Sequence, residues 1–434
     1  MPKDFSPALR RRIAVIGGGI SGMGAAHLLS REHHVTLFEA EPRLGGHART
    51  IIAGKYGDQP VDTGFLVFNY ANYPHMAKLF AELDVPVTKS NMSFGASIDG
   101  GRLEYGLASL DALFAQRTNA LNPQFLRMVR DIFHFNKNAL RIANEDRTRT
   151  TGQFLEALGT GAWFRDYYLL PLSGAIWSTP TQKIMDFPAH AMIQFFENHA
   201  LLSHTGQHQW YTVDGGSVQY VSRLEAAMIG QGVDIRLRAP VQSVRRTASG
   251  VEVKAWGGAW EAFDEVVFAT HSDDSLALLA DPTGVEQTAL GAVKYQPNDI
   301  VLHRDESIMP KRRQTWSSWV YTEDKAAQTD RIDLTYWINS LQPVPMDDPH
   351  FVTLNTKRTI REELIYDQTV LRHPVYDLAA LAAQDTIRAM NGANATWFCG
   401  AWMRHGFHED GYASAVDVAE AIMARDTAMQ VAAE

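Results

Sequence analysis

Cysteine is all but missing from this chain: Cys399 stands alone among 434 residues. A single cysteine excludes an intramolecular disulfide and suits a reducing compartment. Long apolar runs are missing too, and nothing approaches the ~18 residues that span a bilayer as a helix. The opening stretch, Met1 to Arg12, is polar, carries Pro2, Pro7 and three adjacent arginines, and lacks the apolar segment of a secretory signal. Nor is positive charge in excess: 40 lysines and arginines face 49 acids, a net charge of −9. That balance argues against a nucleic-acid partner, although a local patch is free to differ in sign. There is no internal repeat and no low-complexity tract. These absences point to a cytoplasmic globular chain, long enough for a large core and two domains.

Glycine, by contrast, is concentrated where it carries information. The apolar run Ile13-Ala14-Val15-Ile16 passes straight into Gly17-Gly18-Gly19-Ile20-Ser21-Gly22. Gly17, Gly19 and Gly22 thus form G-x-G-x-x-G where a strand turns into a helix. A second apolar run, Val35 to Phe38, ends at Glu39-Ala40, about 20 residues on, where a ribose-binding acid belongs. The glycines let backbone approach a pyrophosphate, and Ile20 and Ser21 open a helix whose amides and dipole favour its charge. This fingerprint alone does not separate NAD from FAD. Three further stretches do. Arg43-Leu44-Gly45-Gly46-His47 offers a second glycine turn toward the phosphates, and Val61-Asp62-Thr63-Gly64-Phe65 a short strand and tight turn beside an isoalloxazine. Near the other end, Thr396 to Gly400 reads as a buried strand leading through His408-Glu409-Asp410-Gly411-Tyr412 into a helix from Ala413 to Met423. A helix start there aims amides at the pyrimidine oxygen of a flavin.

With these motifs the chain resembles FAD-dependent oxidoreductases of the amine oxidase, phytoene desaturase and protoporphyrinogen oxidase group, over nearly its whole length. More closely, it is similar to a bacterial branch encoded beside cyclopropane-fatty-acid-synthase-like methyltransferases. Pro60 to Asn69, Leu169 to Ser178 and Gly406 to Gly411 carry that likeness. The resemblance implies FAD, held by a doubly wound, Rossmann-like α/β domain beside a discontinuous α+β substrate domain. It implies that Val241 meets adenine through its backbone and that Ala269 and Thr270 end a strand approaching the phosphates. Gly400, Asp410, Gly411 and Tyr412 then belong to the flavin turn. Residues 1–70, 206–275 and 395–434 make the FAD-binding domain on this reading, and 71–205 and 276–394 the substrate domain. The branch is linked to dehydrogenating methylated fatty acyl chains toward furan fatty acids. A fatty acyl or phospholipid substrate follows, with a methyltransferase of the same pathway as a partner.

Local pattern predicts helices over 124–141 and 217–229. It predicts strands over 233–237, 241–245, 251–255, 260–263, 266–270, 300–303, 333–338 and 351–355. Asn122-Pro123 is a strong helix start, with Asn as the cap and Pro at the first helical position. In that helix Arg127, Arg130, His134, Lys137 and Arg141 share one stripe, opposite Phe125, Met128, Val129, Ile132, Phe135 and Leu140. A basic amphipathic helix can lie in a lipid interface at the inner face of a membrane. Most such helices simply pack their apolar face on a core, and that is the preferred reading for the helix alone; a phospholipid-borne substrate favours the other.

Amine oxidases of this group hold a lysine near the flavin on a substrate-domain strand, by the same resemblance. The equivalent strand here, Asn298 to His303, has none, and Lys294 lies just before it. His47 replaces the family arginine after the double glycine, and Ala401-Trp402 replaces the usual acid after Gly400. The expectation is therefore an FAD-dependent fatty acyl desaturase. An amine or amino-acid oxidase remains the rival, as does a non-catalytic, FAD-stabilised lipid-binding subunit of a methyltransferase complex. His408, Glu409 and Tyr412 are the catalytic candidates, with His408 or Glu409 removing a proton. The plainer alternative makes Glu409 and Asp410 helix-capping acids and His408 a packed neighbour. His33-His34 reads as a solvated turn and Cys399 as a small strand residue; no metal is expected at His204 and His208, which lack a nearby carboxylate.

Overall fold

The computed structural model describes residues 10–178, 180–203, 206–324 and 331–433, with side chains to residue 428. The polar start before Arg10 and His204 lie outside them. Five parallel strands form one sheet in the order Thr396–Phe398, Glu265–Phe268, Arg12–Ile16, His34–Phe38, Asp234–Arg236. Their apolar runs are buried on both faces, as parallel strands under helices require. One face is covered by the helices Ile20–Leu29, Pro74–Glu82, Val218–Gly230 and His408–Ala433. The other carries the antiparallel meander Val241–Thr247, Gly250–Ala255, Trp260–Phe263 and the helices Gly284–Ala292 and Leu378–Met390. The expected doubly wound domain is present. Its core also takes in Tyr73 to Val85, Leu290, Val293 and Ile387, all from stretches read as substrate domain. Their amphipathic pattern states that a face is buried, not against which sheet.

A second sheet of seven strands runs Ile365–Val375, Lys294–His303, Phe351–Leu354, Asp333–Trp337, Trp319–Glu323, Phe94–Ile98, Leu103–Gly106. All its pairs are antiparallel except Trp319–Glu323 with Phe94–Ile98. The last two strands fall in a stretch where local pattern predicts no strand, and Ile365–Val375 shows no alternation to betray it, being half-buried at nearly every position. Helix Pro123–Glu145 begins as expected, the Asn122 side chain accepting from the amides of Gln124 and Phe125.

Polar links, buried at Asp62 and part-exposed at two arginine pairs, fix the two sheets around the space between them. The Asp62 carboxylate accepts from Thr50 Oγ1 at 2.6 Å, Ser217 Oγ at 2.7 Å and Gln342 Nε2 at 2.8 Å. Arg49 makes a two-pronged pair with Asp367, and Arg372 bridges Asp273 and Asp274. Two local expectations are corrected. His33 is buried, 3.2 Å from Asp426, because the closing turn of helix Ile20–Leu29 tucks against the C-terminal helix. That helix starts at His408 rather than Ala413, since the acids of its first turn suit a helix N-terminus.

Candidate functional site

The first glycine turn separates what the fold needs from what a ligand needs. Gly17 has φ +104°, and a Cβ at Gly22 would sit 1.7 Å from the Gly17 carbonyl oxygen. Both are demanded by packing. A Cβ at Gly19 would meet nothing within 4 Å; it would point into the crevice at the start of helix Ile20–Leu29, where Ser21 also lies. Gly19 is bare for the sake of what approaches it, as a pyrophosphate does. Beside it the Gly18 amide donates to Glu39 Oε2 at 2.5 Å and the Glu41 amide to Oε1 at 2.8 Å, with Ala40 exposed between. The Ala239 amide bonds the Glu39 carbonyl at 2.8 Å, so Val241 opens its strand next to this acid. On the other flank the Ala269 amide donates to the Ile16 carbonyl, and the Thr270 carbonyl accepts from Trp402 Nε1.

The second glycine turn lies directly on the first. The Gly45 amide donates to the Gly18 carbonyl at 2.8 Å, and a Cβ at Gly46 would come within 3.1 Å of Gly19 Cα. Arg43 holds this turn by donating to the carbonyls of Leu44, Gly46 and Ala48. Beyond it the Thr63 amide bonds the Arg49 carbonyl, and a Cβ at Gly64 would sit 1.9 Å from the His47 carbonyl. That close approach delivers Phe65 beside His47. From the C-terminal side, the Gly400 amide donates to Ser414 Oγ, and a Cβ at Gly411 would touch Ile20 and Ser21. The two helix starts therefore abut at one crevice, beside which both glycine turns lie; Tyr412, also read as a cofactor contact, packs against Gly24 instead.

The catalytic candidates part ways. Glu409 accepts from the amides of His75 and Met76, both at 2.9 Å, and so caps helix Pro74–Glu82. Asp410 accepts from the amides of His405 and Phe407 and ties the turn to the helix it opens. Tyr412 is buried against Gly24, and a Cβ there would meet its ring at 2.7 Å. Of the three catalytic candidates only His408 lines the cavity. It stacks on Phe65 at 4.1 Å, and its Nε2 is 2.5 Å from Tyr220 Oη. Burial lifts the Tyr220 phenol well above its ordinary pKa, so it donates to Nε2. Burial, and then His47, lower His408 to about 3. It stays neutral, with that lone pair taken.

The cavity, about 760 Å³, runs from His47, Gly64, Phe65, His373 and His408 to Val129, Ile132 and Phe133 on the long helix. Among the described residues no Asp, Glu, Lys or Arg lines it. Lys294 is exposed and donates to the Gly291 carbonyl, so it does not supply the missing lysine. Instead imidazoles gather: His47 lies 5.6 Å from His373 and 5.8 Å from His271, and Asn298 Nδ2 meets His373 Nδ1 at 3.2 Å. Burial first, then neighbouring cations and imidazoles, lower His47 to about 4 and His271 and His373 to about 3. His271, Asp273 and Asp274 have the spacing of a metal site, but Arg372 engages both carboxylates. Sequence reasoning missed Tyr220, His271, His373 and Tyr376. Of these only His271, which directly follows the phosphate-side strand, carried a local signal.

The comparisons agree with this geometry. Residues 20–322 match the family model for flavin containing amine oxidoreductase. A 43-residue stretch is 49% identical to protoporphyrinogen oxidase 2, chloroplastic/mitochondrial, of Arabidopsis thaliana, covering 10% of this chain and 8% of that protein. Among solved structures, a provisionally assigned protoporphyrinogen oxidase from Exiguobacterium sp. 255-15 superposes with a TM-score of 0.70 at 18% identity, over 95% of this chain and 98% of its own. A CLA-producing fatty acid isomerase from P. acnes gives 0.67 at 13% identity, over 95% and 99%. Putrescine oxidase bound to putrescine gives 0.68 at 17%, over 96% and 99%. At such identities these three speak for the fold alone. With the paired glycine turns, the ribose-side acid and the family match over most of its length, the chain belongs to the flavin containing amine oxidoreductase family, and its cofactor is FAD.

Proposed function

We propose that the protein dehydrogenates a long, neutral acyl chain, unsaturated or methyl-branched and carried on a phospholipid, as in the making of a furan fatty acid. The observation that carries this reading is a cavity wall in which no described residue is an Asp, Glu, Lys or Arg. A substrate ammonium would leave water for a wall offering no carboxylate. Ring faces alone return about 0.5–2 kcal/mol to a cation, less than its burial costs. A methylene chain suffers no such loss and gains about 0.8 kcal/mol for each CH₂ buried. The fold itself is neutral between the two readings, since both a fatty acid isomerase and putrescine oxidase share it.

Bound FAD supplies the two-electron acceptor for a hydride; Gly19, Glu39, Gly45 and Gly46 would hold it. The wall does the rest. An allylic proton is far too weakly acidic for a neutral-pH base, so C–H cleavage must be led by loss of hydride. Positive charge then develops on the chain, and Phe65, Trp177, Tyr376 and Phe407 present rings to it in the absence of a carboxylate. The same rings keep water from that charge. His408, neutral and tied through Nε2 to Tyr220, orients the wall; the proton that leaves after the hydride, from a carbon made strongly acidic by the positive charge beside it, goes to the neutral imidazole of His47 on the same wall.

An anaerobic titration of the flavin band, near about 450 nm, tests this. Methylated, unsaturated phospholipid should bleach it stoichiometrically, with a new conjugated diene. Bleaching by amines and not by lipid would replace this reading with amine oxidation.

A further inference from the structure

We propose that helix Pro123–Glu145 and the exposed leucines next to it are a docking surface for an anionic lipid bilayer, with the cavity opening through it. The passage of a chain from bilayer to cavity rests on the acyl reading above; the docking itself rests on the surface.

The helix has three faces. Phe125, Met128, Phe135 and Ala139 are buried in the core. Val129, Ile132 and Asn136 form part of the cavity wall. The third face is exposed and alternates apolar with basic: Leu126, Arg130, Phe133 and Lys137 follow at steps of four, three and four, one stripe on a helix. Phe133 belongs to both the stripe and the wall, and is 55% exposed. Across the mouth, Leu107 and Leu110 also line the cavity while exposed at 36% and 77%. Leu121, ahead of the helix cap, is 86% exposed. Large apolar side chains left in water around a cavity mouth mark an interaction surface.

Charge selects the partner. Residues 111–145 hold Arg117, Arg127, Arg130, Lys137 and Arg141 against Asp111, Asp131 and Glu145, a local balance of +2 in a chain of −9. Asp131 is buried and accepts from the Gly161 amide and from Arg130, and Arg117 and Arg141 pair with Asp111 and Glu145, so the exposed Arg127 and Lys137 supply the excess of cations. Apolar and basic groups interleaved on one helix match acyl chains and anionic headgroups at one depth. No helix among the described residues is long and apolar enough to cross a membrane, so attachment would be peripheral.

The test is flotation of the full-length, FAD-loaded protein with vesicles of phosphatidylcholine, alone or mixed with phosphatidylglycerol. Wild type should float only with the mixed vesicles and be released at about 1 M salt. Arg130→Gln with Lys137→Gln should weaken that partition about thirtyfold, the factor expected for two surface cations. Neither residue lines the cavity, so reduction by detergent-dispersed substrate should be unchanged in the double variant. Leu121→Ser should weaken flotation independently. Equal partition of wild type and the double variant, or no response to phosphatidylglycerol, would overturn the docking surface. Flotation that behaves as described while acyl lipid fails to bleach the flavin would instead sink the acyl reading and leave the surface standing.

Discussion

Because the Glu409 carboxylate holds the amides of His75 and Met76, its removal should be felt in stability and not in chemistry. Glu409→Ala should cost about 1 kcal/mol, the usual worth of a helix cap, and leave anaerobic flavin reduction within about threefold. Loss of a true general base costs about 10²–10⁴ in rate, so stopped-flow and denaturation measured together decide the point. Its neighbour His408 should behave as a wall residue, with His408→Asn slowing reduction by about tenfold or less, again below the loss a base would show. The histidines also set an acid limit. His47, His271, His373 and His408 have folded pKa values of about 3 to 4, below the ordinary 6.5. Between those values the unfolded chain binds protons that the folded one does not, so stability is intact above pH 6.5 and falls as the pH drops toward 4. Each contributes up to about 1.4 kcal/mol per pH unit. His373→Asn should flatten the dependence of unfolding free energy on pH across that window by one such step; an unchanged slope would show that His373 is charged in the native protein.

At the scale of elements, the two glycine positions Gly19 and Gly22 make opposite predictions from the same substitution. Gly22→Ala drives a Cβ into the Gly17 carbonyl and should prevent folding or cost several kcal/mol. Gly19→Ala meets no protein atom, so the protein should fold with normal circular dichroism yet purify colourless. Retained yellow colour in Gly19→Ala would mean that the pyrophosphate lies elsewhere. These turns were legible because strand, glycines, helix and acid sit in fixed register within about 25 residues. The strands Asp234–Arg236 to Glu265–Phe268 were legible for the same local reason, short apolar alternation between turn residues. Phe94–Ile98, Leu103–Gly106 and Ile365–Val375 were not. The first two pair with each other across Asp99-Gly100-Gly101-Arg102, a hairpin turn written in the chain but set among helix-like periodicity; Ile365–Val375 pairs with Lys294–His303, far away in sequence, and such pairing leaves no trace in local periodicity. His373 was lost with its strand, and Tyr220 was hidden as one apolar position among several on an amphipathic helix.

For the whole molecule, the placement of a long apolar cavity between two sheets tied by Asp62, Arg49 and Arg372 makes a graded prediction. A rigid, uncharged wall recognises a chain by how much of it leaves water. Affinity should therefore climb with substrate length by about fourfold per methylene, the equivalent of about 0.8 kcal/mol. It should climb only until the part of the roughly 760 Å³ cavity that the flavin leaves open is filled, and then level off. A series of acyl homologues, titrated against the flavin band under anaerobic conditions, gives the slope and the break. An ω-amino homologue of the best chain separates this reading from amine oxidation: its ammonium finds no carboxylate in the wall and should erase several methylenes' worth of affinity. A flat response to length, or tighter binding of the amino homologue, would mean that a charged end and not the chain is what the site reads.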